Sequence, residues 1–161
     1  MDDTEEQLDL IIAVNRRQLI DFFDNGAPHF EFDMNRGLVV TLHHASEVPS
    51  TCGTAGCIAG AAFTMWLQTL EPARRKEVAA QAKKYGDEIT CNDADDPNPP
   101  VEYDYGLVRD GALEFLGLER DHATHFGHPL FNMELAPRRA TAADAAMALR
   151  RTFNGRAPWN F

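Results

Sequence analysis

Apolar residues recur at helical spacing near the start of the chain, where Leu8, Ile11, Ile12, Leu19, Phe22 and Phe23 fall on one stripe. Thr4 precedes the stripe as a cap with Gln7 three residues on, and Asn25-Gly26 followed by Pro28 ends it. The period then shortens to two. Phe30-Glu31-Phe32-Asp33-Met34 alternates, Asn35-Arg36-Gly37 can turn the chain, and Leu38 to Leu42 is a β-branched run. These features predict a small hairpin. Two strands alone are marginal in water, so the ribbon must lie on helices, with Phe30, Phe32 and Leu42 as anchors.

Ala55 to Leu70 returns to helical spacing, with Ile58, Ala61, Ala62, Met65, Trp66 and Leu70 spread widely around the cylinder, as in a central buried helix. Pro72 opens another helix over Ala73 to Tyr85, whose Arg and Lys residues surround a thin apolar face until Gly86. Asp87 to Tyr105 holds three prolines among acids and asparagines, so a long, mobile loop tethered by Tyr103 and Tyr105 is expected. Leu107 to Leu116 predicts a short helix closed by Gly117, Glu119 to Phe126 a further one, and Ala142 to Phe153 a last one capped by Thr141. The expected architecture is mainly α: a single domain over residues 1–161, with five or six helices and one small β-hairpin. An acidic, proline-rich loop at 87–105 and an aromatic tail at 156–161 complete it.

An apolar fraction of 44% over 161 residues suits one buried core. No apolar run approaches a membrane span, the first residues are acidic, and three cysteines cannot form a full disulfide framework, so a cytoplasmic protein is expected, without membrane contact. The formal charge of −10 argues against direct nucleic-acid binding, which needs clustered Lys and Arg. Seven acids and no base lie between Asp87 and Asp104. Solvation explains such a segment most simply, and a docking face for a cationic partner, centred on Asp93, Asp95 and Asp96, is the functional alternative.

Candidate chemistry centres on Cys57, which the glycine-rich turn from Cys52 brings to a helix mouth where amide N–H groups favour a thiolate. His43 and His44 are the nearest candidate bases for a cysteine hydrolase or transferase. Close helix packing at Gly56, Ala59 and Gly60 is the competing explanation. A structural zinc site would draw on Cys52, Cys57, Cys91, His122, His125 and His128, but no second close pair follows the first, and no metal or other cofactor is expected. Asp93, Asp95 and Asp104 imitate a calcium loop, which Pro97 and Asn98 at its fifth and sixth places rule out. No phosphate-binding glycine motif occurs.

Cys52-Gly53-Thr54-x-x-Cys57-x-Ala59-Gly60, with Phe32-Asp33-Met34, Phe115-Leu116-Gly117-Leu118 and the closing Thr-capped helix, resembles a family of small uncharacterised proteins of bacteria, phages and prophages. The resemblance implies a helical domain of mobile-element origin and no particular mechanism. Pro158-Trp159-Asn160-Phe161 adds two aromatics, Trp159 and Phe161, that either dock on their own domain or meet a partner. The leading expectation is a protein-interaction, accessory or inhibitory factor whose partner is a protein.

Overall fold

The computed structural model describes residues 3–36, 38–40, 49, 51, 54–89 and 101–161, with the backbone alone at 3, 39–40, 83–89 and 101–102. Among them the chain runs α1 (Asp3–Asp24), β1 (Phe30–Phe32), β2 (Leu38–Val40), β3 (Thr54–Gly56), α2 (Ile58–Thr69), α3 (Pro72–Ile89), β4 (Val101–Glu102), α4 (Tyr105–Leu116), a 3-10 turn (Pro129–Phe131) and α5 (Ala142–Phe153). The fold is mainly α, as the apolar spacing implies.

At its centre lies α2, with nine of its twelve residues buried. Its only buried hydroxyl, on Thr64, donates to the Ala61 carbonyl at 2.7 Å, so the helix enters the core without an unpaired side-chain polar group. α2 packs most extensively on α4, where Gly111 sits beneath Phe63 and Trp66. A β-carbon at Gly111 would fall 2.7 Å from the Trp66 ring and 2.8 Å from the Phe63 ring. That close approach is open only to glycine.

α1 and α5 close the other side. Asn15 Nδ2 donates to the Phe115 carbonyl at 3.1 Å and Arg16 Nε to the Leu116 carbonyl at 2.8 Å. These carbonyls at the end of α4 lack partners within their own helix, so α1 satisfies them from outside. Gly117, left-handed at φ 64°, closes α4, and Ile12 fills the space that a β-carbon there would occupy. The Arg16 guanidinium lies 4.4 Å over the Phe153 ring, and burial lowers its pKa below the ordinary arginine value. Asp24 and Arg150 pair through both carboxylate oxygens, which holds the Asp24 carboxyl below its usual value. Thr141 and Asp144 form a reciprocal capping box at the start of α5.

The small sheet departs from expectation. Both strands of the expected hairpin are present, yet they do not pair with each other: β3 lies between them, parallel to β1 and antiparallel to β2, in the order β1-β3-β2-β4. Thr54 to Gly56 was expected within a helix and turn, and its small side chains instead suit a central strand buried at all three positions. Edge-on contacts of Phe22 with Phe23 and Phe30, and of Phe23 with Phe32, fasten α1 to β1. Leu42 lies outside the described residues.

Three further expectations are corrected. α3 continues through Gly86 to Ile89. Glu119 to Phe126 is not helical, because Asp121 Oδ1 accepts from the Ala123 amide and Thr124 Oγ1 from the Phe126 amide, local bonds that compete with helix formation. On α1, Leu8 and Ile11 are each 55% exposed, and the stripe meets the core only from Ile12 onward.

Gly111→Ala should destabilise the domain by about 1–3 kcal/mol, since overpacking of two rings outweighs the better helix propensity of alanine. Chemical denaturation checks this through a lowered midpoint at unchanged slope.

Candidate functional site

Cys57 occupies the junction between β3 and α2 as the residue capping the helix. It is 2% exposed. Burial pushes the thiol above its ordinary pKa, the amides of Gly60 and Ala59 pull it back by less, and the Asp33 carboxylate adds to the rise. The helix mouth thus acts on the sulfur as anticipated, but desolvation wins. A thiol sealed from water and held protonated is a poor nucleophile.

Its surroundings extend to Tyr105 at the start of α4, whose phenol is pushed upward by burial and then by Cys57, against a smaller opposing effect of Arg109. Tyr105 Oη donates to the Phe126 carbonyl at 3.4 Å, and its ring lies 5.1 Å from the His125 ring. Arg109 is only 6% exposed; its Nη1 donates to the His125 carbonyl and its Nε to Asp110 Oδ1, both at 2.9 Å. Gly127 lies so close that a β-carbon there would meet the Arg109 stem at 2.6 Å. Tyr105 and Arg109 together pin the 121–128 segment to α4.

The three histidines of that segment do separate work. His128 Nδ1 accepts from the Leu130 amide at 3.0 Å and caps the 3-10 turn, His125 packs on Tyr105, and His122 is exposed. Among the described residues no group of three or more His, Cys, Asp or Glu is placed to hold a metal ion. His43, His44, Cys52 and Cys91 lie outside the described residues, as do Asp93, Asp95 and Asp96 of the acidic face. The expected mobility of the 87–105 loop falls largely on the same residues.

The aromatic tail divides. Trp159 is buried, donating its indole N–H to the Leu130 carbonyl at 3.2 Å, and Arg151 holds the tail through the Ala157 carbonyl at 2.7 Å. Phe161 is 53% exposed. Docking at home is thus what happens to the tryptophan.

Two of the surface cavities are lined by described residues. One of about 730 Å³ runs between the β1 turn and the segment before α5, with Glu31 and Asp33 facing Arg138 and a left-handed Arg139 (φ 63°). Asp33 is already engaged with the Asn35 amide and Arg36. The other, of about 280 Å³, lies between α1 and α2.

A larger feature lies on α1. Residues 4–11 are exposed throughout, so about 12 Å of α1 projects past its contacts with α4. On this projection and the next turn, Leu8, Leu10, Ile11 and Val14 are 55%, 67%, 55% and 65% exposed. At about 100° per residue they share one sector of roughly 160°. Four large side chains so exposed make a patch on the order of 400 Å², within the roughly 300–600 Å² of the largest apolar patch on a typical monomer, which often serves an interaction.

Comparison with models of protein families, with curated proteins and with solved structures finds no match. Among the described residues, no helix is long and apolar enough to cross a membrane.

Two outcomes follow from this geometry. Alkylation of Cys57, followed by mass mapping, should proceed only as fast as the domain unfolds; rapid labelling of the native protein would show an accessible thiolate. His128 is held neutral by burial, with Asp121 opposing weakly, so its pKa in the folded state lies below the ordinary 6.5. The unfolded chain therefore binds the proton first, and stability present above about pH 6.5 falls as pH drops toward the folded-state value. His128→Asn keeps a capping acceptor but does not titrate. The stability gap between wild type and this variant should shift against wild type below about pH 6.5, measured as unfolding midpoints at pH 8 and pH 5.

Proposed function

We propose that this chain is a protein-interaction factor that docks through the projecting half of α1. The observation that carries the proposal is the uncovered sector of Leu8, Leu10, Ile11 and Val14 on a helix whose other half is locked into the core. Burying on the order of 400 Å² of apolar surface returns roughly 10 kcal/mol, within the range of about 4–15 kcal/mol that association costs. A partner contributing a similar apolar area makes binding net favourable. The partner is therefore a protein with an apolar surface of its own, in keeping with the low basic content of the chain and its charge of −10.

The signature from Cys52 to Gly60 supports an accessory factor of mobile-element origin, working in the cytoplasm, through its resemblance to phage and prophage proteins. The hydrolase or transferase built on Cys57 has less support, because its sulfur is buried and its pKa raised. A zinc centre is likewise weakened by the separate roles of His125 and His128.

A photo-crosslinking residue at Val14 tests the reading. Introduced in cells, it should yield a discrete protein adduct that Leu10→Glu abolishes, while Leu10→Glu shifts unfolding by no more than about 0.5 kcal/mol because the site is exposed. Absence of any adduct at Val14, or an adduct indifferent to Leu10→Glu, would overturn it.

A further inference from the structure

We propose that the occupant of the α1 face is a second copy of the same chain, its α1 laid antiparallel across the first about a two-fold axis near Ile11 and Val14. This rests on the reading of α1 as a docking surface and names its partner. The argument begins with direction. Glu6 and Arg17 are eleven residues apart, close to three turns, and so lie on the same flank of the apolar sector, beside Leu10. In an antiparallel pair each flank meets the same flank of its partner, and a two-fold axis between Glu6 and Arg17 sets Glu6 of each copy toward Arg17 of the other.

The opposite orientation fails on the same geometry. A parallel pair would turn the Glu6 and Arg17 flank toward the sector's other edge, where Ile12 packs against Gly117 and Asn15 binds the end of α4. That edge is occupied. Only the antiparallel arrangement therefore brings Glu6 of one copy to Arg17 of the other.

Charge along α1 follows the same plan. Its first turns carry Glu5, Glu6 and Asp9, and Arg16 and Arg17 follow the apolar residues. Reversing one helix lays Glu6 of each copy beside Arg17 of the other, while Arg16 stays engaged at the end of α4 and over Phe153. Arg17 is mostly exposed and, among the described residues, is held by an exposed bond to Asp21, so it can exchange partners at little cost. The area argues likewise: a patch on the order of 400 Å² per copy, with the polar rim around it, approaches the roughly 800 Å² per partner of a standard interface. An identical patch on the partner supplies the matching half.

Sedimentation equilibrium of the full chain should give twice the monomer mass, dissociating on dilution. Glu6→Arg and Arg17→Glu should each weaken the dimer about tenfold, since each alteration acts twice and adds like-charge contacts. Combined, they should restore affinity to within about twofold of wild type. Leu10→Glu should leave a folded monomer, its fold checked by circular dichroism. A wild-type monomer at every soluble concentration, a dimer that survives Leu10→Glu, or a double charge swap without rescue would each overturn the proposal. A monomer whose Val14 probe still captures a different protein removes the second copy and keeps the docking reading. A monomer without any adduct removes both.

Discussion

The end of α4 presents carbonyls that its own helix cannot satisfy, and α1 supplies the missing donors through Asn15 and Arg16. Much of the architecture depends on this clamp. It sets the level at which α1 meets α4, brings Arg16 over Phe153 of α5, and seats Ile12 where Gly117 leaves room. Since both donors lie near the middle of a 22-residue helix, only the half that follows them can reach β1 through Phe22 and Phe23. The half before them must project. Core anchorage and surface exposure on α1 are two results of one hydrogen-bonded junction.

The elements that local chemistry decides were legible in the sequence. Thr141 and Asp144 cap α5, Gly117 closes α4 and the apolar run around Ile58 to Leu67 is the buried centre, each from signals a few residues wide. What periodicity does not convey is which surface covers a stripe. Leu8 and Ile11 belong to the same apolar stripe as Leu19 and Phe23, yet the first two are exposed and the last two buried. In the same way, Thr54-Ala55-Gly56 carries too little side chain to announce a strand, and its identity comes from two neighbours remote in sequence. The turn at 121–127 was misread because Asp121 and Thr124 bind nearby amides in place of a helical ladder.

The candidate site was less legible. Small residues around Cys57 pointed equally to a reactive helix mouth and to close packing, and burial separates the two: the amides are there, but water is not. His128 entered as a metal ligand and serves as a cap, which its imidazole can do only while neutral. The exposed face of α1 did have a trace in sequence. Leu10 and Val14 lie off the predicted stripe, so the helix is apolar on more of its circumference than one core contact requires.

The placement of β3 has a bearing on synthesis at the ribosome. β1 and β2 emerge first, separated by five residues and free to zip together, yet the finished sheet needs them apart with a later segment between them. Any early ribbon of the two must open before Thr54 to Gly56 can enter, and β2 then waits for Val101 and Glu102 to cover its other edge. Closure of the sheet is thereby postponed until α2 and α3 have been made. A chain built this way keeps an unsatisfied strand edge through much of its own translation, and the order of its assembly is written in its topology.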